Sequence, residues 1–204
     1  MGLRDTKKQA TRTALSWAAI RLVAERGYDK VLVEDIAAAA GVSPRTFNNY
    51  FASKAEAVAA RHRDRCFGVA DTLRERPAGE PLWDSITQAM LGQFAPGPEV
   101  LAHPEPDPDE WVAGVRRMMA VPALQAEILR GSGDAVHAIG QAVAERCGLD
   151  VEKDLYPKLV AAAVLAANDV VIQQFLNGGG DRWGTVPALL SEALRQIRAG
   201  LPQP

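Results

Sequence analysis

The first third of the chain is punctuated for short helices, and few architectures tolerate that punctuation. Ala14, Trp17, Ala18, Ile20, Leu22 and Val23 form an apolar set at helical spacing across residues 11–26, and Gly27 ends it. Ile36, Ala37 and Ala40 mark a short second helix, stopped at Gly41. Ser43 then offers an N-cap with Pro44 at the first helical position, so a third helix opens there and runs to about Phe51. Ser53-Lys54-Ala55-Glu56 has the capping-box spacing and starts a fourth helix. That helix reaches Arg76 before Pro77, with Gly68 weakening its middle.

Alternating strand patterns are nearly absent from the remainder, so the whole chain is expected to be all-α. Helices are expected at 81–94, 109–119, 122–129, 134–147, 151–176 and 185–199, with Gly178-Gly179-Gly180 separating the last two. Residues 95–110 carry Pro96, Pro98, Pro104, Pro106 and Pro108 with five acids, and read as a loop. The apolar stretch 159–172 is interrupted by Asn168 and Asp169 and is too short for a membrane span, so no membrane partner is expected.

Charge divides the chain in two. Overall it carries 23 Lys/Arg and 25 Asp/Glu, a formal net charge of −2, which on its face argues against a nucleic-acid binder. Residues 1–65 alone hold twelve Lys/Arg and seven Asp/Glu, a net of +5, and residues 66–204 hold the balancing −7. A basic head on an acidic body points to an anionic partner at one end. Hydrophobic residues at 48% are enough to build a core, which excludes global disorder. The two cysteines, Cys66 and Cys147, lie far apart with neither metal nor disulfide spacing, which fits a reducing cytoplasm.

The third helix separates into two faces. At about 100° per residue, with Arg45 at 0°, Asn48 falls at about 300° and Asn49 at about 40°, while Phe47 and Phe51 fall at about 200° and 240°. The phenylalanines anchor the helix inward, and a guanidinium and two amides face outward. Arg pairs bidentately with guanine and Asn with adenine, so this face suits base reading. Thr46, Tyr50 and Lys54 lie near its edges and suit phosphate contacts, as do the backbone N–H groups opening the fourth helix. By themselves, an Arg and two Asn favour an ordinary solvated helix with polar outer residues.

Five runs carry a family resemblance: Ala24-Glu25-Arg26-Gly27-Tyr28, Val33-Glu34-Asp35-Ile36-Ala37, Ala40-Gly41-Val42-Ser43, Thr46-Phe47 and Tyr50-Phe51-Ala52-Ser53-Lys54. In order and spacing they closely resemble the TetR-type (tetracycline-repressor-like) transcriptional regulators over residues 10–60. The resemblance implies a helix-turn-helix domain at 1–52 and an effector-binding and dimerisation domain at 53–204. It implies a homodimer bound to a palindromic double-stranded operator, usually a repressor released by a small ligand. Arg45, Thr46, Asn48, Asn49, Tyr50 and Lys54 become DNA-contact candidates. Two positions depart from the pattern. Leu32 stands where the family often has a threonine that caps the second helix and touches phosphate, and Asn48 stands where an aromatic is common.

The acidic body is left to supply a core, a dimer interface and a pocket. Ala161, Ala162, Ala163, Ala166 and Ala167 permit close helix approach, and Val186, Leu189, Leu190, Ala193, Leu194 and Ile197 make the last helix amphipathic. Two such helices per subunit suit a four-helix interface, with a monomeric core as the alternative. Trp83, Met90, Phe94, Trp111, Val115, Met118 and Met119 supply large side chains for an adaptable apolar cavity, or simply fill a core. Asn168 inside an apolar helix either orients a ligand or bonds across a dimer. The run from Met118 to Gln125, with Leu159 to Ala163, loosely resembles the C-terminal domain of the mycofactocin-regulator-like branch, which implies an apolar or acyl-bearing effector.

An enzyme is not expected. His62, His103 and His137 are scattered, no ligand cluster has metal spacing, and no nucleophile motif or phosphate-binding glycine loop is visible. No cofactor is expected. The other readings are a helical ligand-binding protein whose head no longer binds DNA, and an architectural DNA-binding protein without an effector.

Overall fold

The computed structural model describes residues 3–95, 97–103, 107–179 and 185–203, and every regular element among them is helical. The chain forms two compact units, Met1–His62 with Pro96–Leu129, and Arg63–Ala95 with Arg130–Pro204. This grouping by packing differs from a functional division at residue 52.

In the first unit α1 spans Leu3–Arg26, longer than its apolar stripe requires. Leu15, Ala18, Ala19, Leu22 and Val23 are buried at the spacing of one helix face. A 3-10 turn at Tyr28–Lys30, which local sequence does not announce, leads to α2 at Val33–Ala39 and α3 at Pro44–Asn48. The chain continues into α4 at Lys54–Glu75. The proline-rich segment is not wholly a loop: Pro98–Leu101 forms a one-turn α6, and α7 opens at Pro108 and runs to Met119. Asp107 caps α7, its carboxylate accepting from the Asp109 and Glu110 N–H groups at 3.0 Å each. Of the prolines expected in the loop, Pro96, Pro104 and Pro106 lie outside the described residues.

α1 and α7 cross at Gly114. A Cβ there would stand 2.4 Å from the Ala24 carbonyl oxygen, so only glycine allows this approach. Around it the Trp17 and Trp111 rings meet at 5.7 Å, and Arg117 donates to the Ala24 carbonyl at 3.2 Å.

The second unit contains α5 at Leu82–Gly92, α9 at Leu155–Gln174 and α10 at Val186–Arg198, with Leu73, Ile86, Ile139, Phe175, Leu190 and Leu194 in its core. Residues 122–147 form one helix, α8 (Pro122–Cys147), where two helices at 122–129 and 134–147 were expected. Glycine costs only about 1 kcal/mol inside a helix. Gly131 is buried, and a Cβ there would stand 3.3 Å from the Arg63 Cβ, so the bare glycine fits this close approach. Gly68 likewise leaves α4 unbroken, with the Gln93 amide lying over it.

Arg146 satisfies the C-terminal end of α4. Its guanidinium donates to the carbonyls of Leu73 (3.3 Å), Arg76 (3.0 Å), Pro77 (2.9 Å) and Glu80 (3.1 Å), and to the Ser85 hydroxyl (3.0 Å). The Leu73 carbonyl belongs to the last turn of α4, which a helix leaves without partners of its own, and the other three follow its end. Ser85 in turn donates to the Glu80 carboxylate, which also pairs with Arg76. Those hydrogen bonds hold the Glu80 carboxyl down to about 2.

α9 with the π turn that follows it, Phe175–Gly179, is the one described helix long and apolar enough to cross a membrane, so its length is greater than the sequence stretch promised. Val160, Val164, Leu165 and Val171 nevertheless pack in the core, and Asp169 is exposed. Asn168 is half-buried and bonds its neighbour Asp169 at 3.5 Å. Gly178 turns the chain with φ 105°; Gly180 lies outside the described residues.

Candidate nucleic-acid interface

The turn between α2 and α3 is closed by backbone alone. Gly41 takes φ 68°, its N–H bonds the Ala38 carbonyl at 3.0 Å, and the Val42 N–H reaches back to Ala37 at 2.9 Å. This pair of bonds requires a left-handed residue just past the helix end, which glycine supplies without strain. Two residues later Ser43 caps α3. Its hydroxyl accepts from the Thr46 N–H at 3.1 Å and lies 2.9 Å from the Thr46 hydroxyl. One hydroxyl proton is spent between the two side chains, and the other is left for an outside acceptor.

α3 has barely more than one turn, but the helical course continues through it. The Phe51 N–H bonds the Phe47 carbonyl at 3.0 Å, so the two phenylalanines stay on one face. Phe47 is 0% and Phe51 1% exposed, with ring centroids 5.7 Å apart. The Arg12 guanidinium of α1 lies 5.2 Å from the Phe51 centroid. Burying two phenylalanines fixes the short helix far more firmly than its own hydrogen bonds can. Opposite them Arg45, Asn48 and Asn49 are exposed, and Thr46 and Tyr50 are half-buried at the edges. The outer face presents five donors from the guanidinium and both a donor and an acceptor from each amide.

Leu32 stands at the N-cap of α2 and gives no side-chain cap. Asp35 compensates from within the helix, its carboxylate accepting from the Leu32 N–H at 2.8 Å. The Leu32 side chain is 60% exposed. At the start of α4 the Ser53 hydroxyl accepts from the Glu56 N–H at 3.0 Å, as the capping-box spacing requires. Glu56 reaches one residue further back, accepting from the Ala52 N–H at 2.7 Å. A carboxylate therefore occupies part of the N-terminus that sequence reasoning offered to a phosphate.

Lys54 points inward. Its Nζ donates to the carbonyls of Tyr28 and, at 2.7 Å, Val31, and lies 4.0 Å from the Tyr28 ring centroid. Burial pushes its pKa down and Asp29 partly opposes this. Tyr28 is the residue that sequence reasoning missed. It lies 26 positions from Lys54, and no local spacing joins them. The half-cap by Asp35 was in principle visible, since it stands three residues after Leu32.

The side chains expected around an effector fall in two places. Trp83, Met90, Phe94 and Asn168 belong to the second unit, where Met90 is buried and the Arg65 guanidinium lies 5.5 Å from the Phe94 centroid. Trp111, Val115, Met118 and Met119 belong to the first, where Val115 and Met118 are buried. Among the described residues no group of His, Cys, Asp and Glu could hold a metal ion. Cys66 is buried, and that burial pushes its thiol up to about 12; Cys147 is exposed.

Comparison with known proteins bears on the whole chain. A family model for the bacterial regulatory proteins of the tetR family matches residues 17–60, and one for the MftR C-terminal domain matches residues 80–202. The HTH-type transcriptional regulator TcmR of Streptomyces glaucescens is 36% identical over 183 residues, 85% of this chain and 76% of that protein. A TetR-family regulator from Rhodococcus sp., described as putative in its structure, superposes with a TM-score of 0.58 at 24% identity, covering 94% of this chain and 98% of the other. The fatty acid degradation regulator FadR from Bacillus halodurans superposes with a TM-score of 0.59 at 16% identity, covering 95% and 97%. These two share the fold. With the helix-turn-helix head and the helical remainder both matched, the chain belongs to the TetR family of bacterial transcriptional regulators, which are not enzymes, and carries the MftR type of C-terminal domain.

Proposed function

We propose that the protein is a cytoplasmic homodimeric repressor that binds a palindromic operator through α3 and is released by a small apolar or acyl-bearing effector. The observation that carries the DNA reading is the outer face of α3. Arg45, Asn48 and Asn49 stand exposed on a helix whose opposite side is fixed by two fully buried phenylalanines. Rigid support matters because a bidentate contact to a base edge tolerates little misplacement. Thr46 and Tyr50 flank the face and hold the helix to the backbone. The +5 head supplies the attraction to phosphate, and the acidic remainder disfavours a second DNA surface.

The dimer reading rests on α9. Leu155, Leu159, Ala162, Ala166 and Val170 are exposed and recur every three or four residues, an apolar stripe on one side of the helix. A stripe of this kind on a soluble protein calls for a partner surface, and a two-fold pair of such helices covers it symmetrically. The MftR type of C-terminal domain supports the effector class. The candidates for its contacts are two separate groups, Trp83, Met90, Phe94 and Asn168 in the second unit and Trp111, Val115, Met118 and Met119 in the first.

Selection of bound sequences from random duplex DNA, repeated with acyl-bearing ligands, tests this. An inverted repeat that is enriched without ligand and released with it is expected. No enrichment would favour a ligand-binding protein without an operator. Enrichment that no ligand relieves would favour an architectural role.

A further inference from the structure

We propose that Lys54 is a positioning residue that anchors α4 to the connection between α1 and α2, holding α2 and α3 in place. The inference rests on α3 being the DNA-reading helix. Lys54 opens α4, and the connection it grips, residues 27–32, leads directly into α2. Its ammonium bonds two carbonyls of that connection, Tyr28 and Val31, and sits over the Tyr28 ring. An ammonium has three N–H donors, so two are spent inside the protein. Val31 itself is fully buried, so its carbonyl has little recourse to water if the lysine leaves.

The neighbouring bonds close the same corner. Asp35 holds the Leu32 N–H, Glu56 holds the Ala52 N–H, and Ser53 holds the Glu56 N–H. Leu32 has no side-chain oxygen with which to fasten the start of α2 to anything else. The lysine thus hydrogen-bonds from α4 across to this connection.

The test compares Lys54→Met and Lys54→Arg with the wild type on its selected operator and on a scrambled duplex, over a range of salt. Arginine keeps the charge, so it preserves a phosphate contact, but its broad planar fork does not seat between the two carbonyls over the ring. A positioning role predicts that both variants lose about tenfold in preference for operator over scrambled duplex, equivalent to one charge-assisted hydrogen bond. A slope shallower by about one per head in Lys54→Met, with wild-type behaviour in Lys54→Arg, would show a phosphate contact and overturn the proposal. Amide hydrogen exchange of the free protein supplies an arm that needs no DNA. Faster exchange confined to residues 28–36 in Lys54→Arg is expected, and unchanged exchange there would also overturn the proposal. A wild type without operator preference would refute the α3 reading, while the exchange arm would still judge the anchor.

Discussion

Substituting Gly114 by alanine puts one methyl group where α1 and α7 touch. The added Cβ would stand 2.4 Å from the Ala24 carbonyl oxygen, 2.9 Å from its carbon and 3.1 Å from its Cα. All three are backbone atoms, so no side chain can rotate away. Ordinary contact begins at 3.4 Å, so the helices must part by about 1 Å. Overpacking of this kind costs about 1–3 kcal/mol. The same movement stretches the Arg117 bond to the Ala24 carbonyl, now 3.2 Å, at about 1.5 kcal/mol. Alanine returns about 1 kcal/mol through its better helix propensity. The expected net loss is about 1.5–3.5 kcal/mol. Urea unfolding at fixed protein concentration, followed by tryptophan fluorescence, measures it, since Trp17 and Trp111 meet beside this crossing. A lower midpoint at unchanged slope is expected. A variant as stable as the wild type, or more so, would refute the reasoning, because helix propensity would then outweigh the contact.

Four further outcomes follow from particular contacts. Phe47→Ala should cost about 3–5 kcal/mol and abolish operator binding, read by unfolding and by gel shift, since the ring is wholly buried under α3. Arg146→Met should cost about 2–4 kcal/mol by denaturation because it removes the guanidinium that donates to four carbonyls in and just past the last turn of α4. Glu80 is held at about 2, below its unfolded value, so its contribution is present above about pH 4.5 and is lost as pH falls toward 2. Glu80→Gln should flatten that part of the acid limb in a stability–pH profile, and an unchanged limb would contradict the pairing. A thiol reagent at pH 8 should titrate Cys147 alone in the native protein and both cysteines after denaturation, since the Cys66 thiol is raised to about 12 and buried.

What sequence reasoning reached was set by local chemistry. Ser43-Pro44, Gly41 and the capping box at Ser53 act within four residues of themselves, so the helix-turn-helix could be read from them. The two faces of α3 followed from helical spacing, because Phe47 and Phe51 need only one turn to align. Longer-range forces were out of reach. Gly131 continues α8 in a buried place where a Cβ would crowd Arg63, and no neighbour in sequence signals that approach. The partners of Lys54, the Tyr28 and Val31 carbonyls, are more than twenty residues away, and no local spacing joins them to it. The expected effector residues joined α5 with α7 by composition alone, and packing assigns those helices to different units.

The central claim is that the exposed face of α3 reads an operator sequence, and Arg45→Ala on the selected inverted repeat tests it most directly. Binding of wild type and variant should be measured on that duplex and on duplexes changed one base pair at a time. The account predicts that Arg45→Ala loses about 1–3 kcal/mol per base contact and no longer distinguishes the substituted base at one position in each half-site. An equal loss on every duplex, with the wild-type pattern of base preference intact, would contradict it.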